Sequence, residues 1–88
     1  MKKITLTIKS SEGLHARPAS IFVKAASSFK SNIKIIKNDD ASKEYAGKSI
    51  ISIMAMAAAN GDKITIIADG EDEDIAISEL GTLVETGF

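Results

Sequence analysis

The sequence predicts an α+β domain with the element order β-α-β-β-α-β-α, and three observations carry that expectation. Short stretches of period-two alternation recur between longer stretches whose apolar residues fall three and four apart. The joints between them are rich in Gly, Asn, Asp and Ser, the residues that turn a chain. Its 88 residues, 44% hydrophobic and 26% charged, suit one small domain with one core, spanning residues 1–88.

The first strand is "KITLTIK" (residues 3–9), with Ile4, Leu6 and Ile8 on one face and Thr5 and Thr7 on the other. After "SSEG", a helix is expected from Ala16 to Phe29, its apolar stripe formed by Pro18, Phe22, Ala25, Ala26 and Phe29. "NIKIIK" (32–37) is the second strand, "NDDAS" a turn and "KEYA" (43–46) a short return strand. A second helix is expected over "SIISIMAMAAA" (49–59), capped by Ser49 and stopped by "NG" at 60–61. Its stripe would be Ile50, Ile53, Met54, Ala57 and Ala58. "KITIIA" (63–68) is the last strand. "EDEDIAISELGTLVE" then closes the chain as a helix, with acids at its positive end and Ile75, Leu80, Leu83 and Val84 buried. Strands that bury one face call for an antiparallel or mixed sheet with helices on one side, an arrangement that a ferredoxin-like order also satisfies.

Composition excludes several functions. The formal net charge is −1 and aromatics are 5% of the chain, so neither a nucleic-acid footprint nor a base-stacking platform is expected. The absence of cysteine excludes disulfides and thiolate metal sites, and a single histidine excludes a multi-histidine zinc site. No metal or other cofactor is called for. No stretch approaches the ~20 apolar residues of a membrane span, and the alternation after "MKK" does not read as a signal peptide, so a cytoplasmic protein without membrane insertion is expected.

The chemistry concentrates in "GLHARP" (13–18), which holds the only histidine and the only proline. With His15 at the helix N-cap, Pro18 falls in the first turn, where a missing N–H costs little. The unpaired N–H groups and the helix dipole make an anion site and disfavour imidazolium, leaving His15 neutral and nucleophilic. Arg17 adds a planar fork suited to phosphate oxygens. On spacing alone, the same residues also fit an ordinary helix cap.

The Gly-aliphatic-His-small-Arg-Pro stretch resembles the active-site signature of the HPr family, the histidine phosphocarriers of the bacterial phosphoenolpyruvate–sugar phosphotransferase system. "KSIISIMAMAAANGDKITI" (48–66) and "ADGEDED" (68–74) extend the resemblance over nearly the whole chain. It implies an open-faced β-sandwich: a four-stranded antiparallel sheet in the order 1-4-2-3 with three helices on one face. It also implies a carrier rather than a stand-alone turnover enzyme. His15 would accept phosphate on Nδ1 from enzyme I and pass it to sugar-specific IIA proteins or domains. Arg17 would steady the phosphoryl oxygens, and the backbone amides of Ala16 and Arg17 would cradle them. A monomer is implied as well.

Ser49 matches the serine that HPr kinase/phosphorylase modifies in some members, so the resemblance adds regulation through that enzyme and a transcriptional regulator to its capping role. A mainly regulatory interaction protein, acting on carbon or nitrogen metabolism, is the alternative reading. By the same resemblance, Leu14, Ile50, Ile51 and Met54 would form the partner-docking surface, with Lys24 and Lys48 at its rim. Glu12 departs from the small polar residue more common in the family. A carboxylate there would repel phosphate and oppose the helix dipole.

Overall fold

Alternation fixes the strands, and the sheet they build is antiparallel throughout. The computed structural model describes residues 1–11, 13–14 and 16–86. Their elements run β1 (Lys2–Thr7), α1 (Ala16–Ser27), β2 (Asn32–Lys37), β3 (Tyr45–Ala46), α2 (Ile50–Met56), β4 (Lys63–Asp69) and α3 (Glu73–Thr86). The sheet order is β1-β4-β2-β3, which removes the ferredoxin-like alternative and gives the open-faced arrangement. Register places Ile4, Ile66 and Ile35 in one row, flanked by Leu6 opposite Ile64 and Ile33 opposite Ala68. The three helices cover this face, and Phe22, Ile53, Leu80 and Val84 close the core over it. On the other face Lys3, Ile67 and Lys34 share a row, and the hydroxyls of Thr5 and Thr65 meet at 2.9 Å.

Element ends differ from their sequence expectation for identifiable reasons. α1 stops at Ser27 because Ser28 and Phe29 bond back three residues, to the Ala25 and Ala26 carbonyls, tightening the last turn. Phe29 remains buried all the same. Only Tyr45 and Ala46 of the expected return strand pair with β2. α2 ends at Met56 rather than Ala59, since Ala57 takes the left-handed conformation (φ 53°) and returns its N–H to Met54.

The buried stripe of α2 is Ile53 and Met56, continued by Ala58, whereas Ile50, Met54 and Ala57 are exposed. "IISIMAM" is apolar at every position but Ser52, so periodicity could not set its phase. In α3 the buried positions are Ala76, Leu80, Gly81 and Val84, and Ile75 faces solvent instead of the core. Gly81 serves close packing: a Cβ there would stand 3.2 Å from Ile4 Cδ1. Of the four acids, Glu73 and Asp74 occupy the first turn of α3, while Asp72 reaches back to the α1–β2 turn.

Candidate functional site

"GLHARP" joins β1 to α1. Gly13 and Leu14 are described on its strand side and Ala16, Arg17 and Pro18 on its helix side; His15 and the neighbouring Glu12 lie outside the described residues. Gly13 has φ +65°, and a Cβ on it would stand 2.5 Å from the Ala58 carbonyl oxygen. Only glycine permits this approach, which brings Leu14 N–H to the same carbonyl at 2.9 Å. Leu14 is 3% exposed within the core, so the expectation that it docks partners is corrected: its side chain anchors the loop from beneath. Pro18 is also buried, while Ala16 and Arg17 are exposed at the first turn of α1. The amides of that turn have no carbonyl one turn earlier in the helix, so the start of α1 carries backbone donors that the helix itself does not satisfy.

The loop leading to this mouth is bound to the α2–β4 turn. Ile8 donates to the Asp62 carbonyl at 2.8 Å and accepts from Gly61 N–H at 2.9 Å. The Asn60 amide donates to the carbonyls of Lys9 (3.2 Å) and Ser10 (3.3 Å). The Asp62 carboxylate accepts from Ala59 N–H at 2.9 Å and from the Asn38 amide at 3.3 Å, and these bonds hold it below the usual carboxylate range. Lys37 closes the end of α2, its ammonium 2.8 Å from the Met56 carbonyl. Lys9 is tied to Glu85 near the end of α3 at 3.1 Å.

α2 runs antiparallel to α1: its last residues meet the loop before α1, and Lys48, before its start, donates to the Phe29 carbonyl beyond the end of α1 at 2.7 Å. Ser49 is the N-cap of α2, accepting from Ser52 N–H at 3.3 Å. Ile50, Ile51 and Met54 are 39%, 79% and 47% exposed, an apolar strip running from Ser49 toward the loop. Lys24 is exposed in the last turn of α1. Among the described residues no group of acidic, His or Cys side chains can hold a metal ion. A groove of about 440 Å³ lies between α1 and α3, lined in part by Ala25, Phe29, Thr82 and Leu83, away from the loop.

A family model described as the PTS HPr component phosphorylation site matches residues 2–86. The chain belongs to the HPr family. Its relatives include the phosphocarrier protein HPr of Mycoplasma capricolum, 48% identical with 100% of this chain and 97% of the relative covered. HPr of Borreliella burgdorferi is 43% identical over 98% of this chain and 96% of its own. The crystal structure of HPr-C-His from Thermoanaerobacter tengcongensis superposes with a TM-score of 0.91 at 41% identity, covering 100% of this chain and 96% of that one. Membership makes this a protein of the phosphotransferase system with the phosphocarrier role of its family.

The residues missed from sequence are those that hold the HPr loop in place. By its local pattern Asn60 is only a helix stop, and nothing in the sequence singles out Asp62 or Lys37. Asn60 and Lys37 act on backbone carbonyls distant in sequence, and Asp62 joins the nearby Ala59 N–H to the distant Asn38 side chain; no local pattern marks such distant partners.

Proposed function

We propose that the chain carries phosphoryl groups on Nδ1 of His15, accepting them from enzyme I and delivering them to sugar-specific IIA proteins or domains. The observation that supports this reading is that Ala16, Arg17 and Pro18 of the "GLHARP" sequence open α1 just after the buried Gly13 and Leu14, with Ala16 and Arg17 exposed to solvent. His15 supplies the nucleophile, the guanidinium of Arg17 offsets phosphoryl charge, and the amides of Ala16 and Arg17 take the remaining oxygens. An exposed mouth suits a carrier, which must release what it binds. Ile50, Ile51 and Met54 supply the apolar docking strip, and the carrier works as a cytoplasmic monomer. No helix among the described residues is long and apolar enough to cross a membrane.

Incubation with phosphoenolpyruvate and enzyme I should place acid-labile phosphate on the chain, and His15→Ala should remove it. Unchanged labelling of that variant would sink the reading. Arg17→Ala should slow labelling by about a hundredfold to a thousandfold, the range for losing one charge-stabilising donor.

Ser49 supports a second, regulatory reading. Its hydroxyl lies at the start of the exposed apolar strip, so a phosphate delivered by HPr kinase/phosphorylase would put a double negative charge where partners dock and change which partners bind, a transcriptional regulator among them. ATP with that kinase should yield acid-stable phosphate that Ser49→Ala abolishes. Labelling that persists in the variant would remove Ser49 from the account.

A further inference from the structure

We infer that Asn60 is a positioning residue for phosphoryl transfer, acting through the loop that leads into "GLHARP". The inference rests on the carrier reading of His15 and adds a residue outside the signature. Three observations converge on it. The Asn60 side chain sends its amide donors to two successive carbonyls, Lys9 at 3.2 Å and Ser10 at 3.3 Å. Both acceptors are carbonyls, so only one orientation of the amide fits, with nitrogen toward the loop. The backbone on either side of this contact is already fixed: Gly61 N–H meets the Ile8 carbonyl at 2.9 Å, and Leu14 N–H meets the Ala58 carbonyl at 2.9 Å.

Between those two clamps the chain must cross residues 9–13, where Gly13 returns its N–H to Ser10 at 3.0 Å. Ser10 therefore accepts from Asn60 and from Gly13 together, which makes its carbonyl the hinge of the loop. Lys9 is held at both ends, its carbonyl by Asn60 and its ammonium by Glu85 at 3.1 Å. Asn60 itself is exposed and contributes no core packing, so its role lies in these donors.

Loss of the donors would let Lys9, Ser10 and Gly13 leave the geometry that fixes the entry to α1. Binding would then be weakened by the fraction of time the loop is competent, while the chemical step within the docked complex would keep its rate. Asn60→Ala and the isosteric Asn60→Asp should both raise the KM for the carrier in phosphorylation by phosphoenolpyruvate and enzyme I by about fivefold to tenfold, the factor one ordinary hydrogen bond carries, with kcat unchanged. Amide exchange at Gly61 and Leu14 should quicken by a similar factor, while Ile66 in β4 stays protected. Asn60→Gln keeps a donor and should recover part of both effects.

A native KM in Asn60→Asp, or native exchange at Gly61 and Leu14, would overturn the inference. If the native chain takes no label on His15, the carrier reading and with it this role in carrier binding fall, and that outcome is distinguishable because the exchange contrast between native chain and variants needs no enzyme I.

Discussion

The two ends of this molecule are closed by different means. At the end holding the α1–β2 and β4–α3 turns, side-chain charge does the work. Asp72 accepts from Lys30 N–H, Ser31 N–H and the Ser31 hydroxyl, and Glu73 pairs with the terminal amine of Met1 at 3.0 Å. Lys30 and Glu71 pair alongside. At the end holding the loop before α1, the closure is mostly backbone to backbone, assisted by the Asn60 and Asn38 amides. One end is sealed at its surface; the other is anchored from behind, leaving Ala16 and Arg17 in solvent. Tethering the loop through its backbone fixes Gly13 and Leu14 while leaving Ala16 and Arg17 open to solvent.

The contrast can be broken hardest at Gly13. Gly13→Ala forces a side chain into the left-handed region and against the Ala58 carbonyl, and should cost about 2–4 kcal/mol, read as a lower urea midpoint with loss of His15 labelling. At the sealed end, Ser31→Ala should cost about 1–1.5 kcal/mol by removing a buried hydroxyl from Asp72, with labelling intact.

Acid should discriminate further. The carboxyl of Asp72 is held low, first by the Ser31 hydroxyl and then by the Lys30 amide, and that of Glu73 by the Met1 amine and then the Gly70 amide. Groups lowered on folding add stability above their unfolded values near 4 and lose it as pH falls through the lower folded values. Asp72→Asn should therefore flatten the fall in melting temperature on acidification below about pH 4, and a slope equal to the native one would count against the seal.

Smaller effects should run the other way. Ala57→Gly relieves a left-handed alanine at the end of α2 and should gain about 0.5–1 kcal/mol in urea unfolding. Ile51→Ser, on an exposed position, should leave stability within about 0.5 kcal/mol. A selective weakening of enzyme I binding in that variant, measured by titration calorimetry, would mark the strip as the docking surface; native affinity would remove Ile51 from it.

How legible all this was depended on range. Strands with one buried face declared themselves, because Ile4, Leu6 and Ile64 alternate with polar neighbours. α2 misled, since six apolar residues of its seven, with only Ser52 polar, leave no preferred phase, and Ile50 and Met54 emerged outside while Met56 went in. Leu14 was misplaced for a related reason: an aliphatic residue beside a candidate site can equally face a partner or the core, and the Gly13–Ala58 contact turned it inward.

By itself the sequence determined the element order, the strand faces and the stretch where the chemistry lies, because alternation, turn residues and a contiguous motif are local properties. The sheet order, first reached through family resemblance, became a property of this chain only in its tertiary structure. So did the choice of exposed face on α2 and the clamp of Asn60 on residues 9 and 10, since each joins atoms dozens of residues apart whose hydrogen bonds and packing leave no local trace.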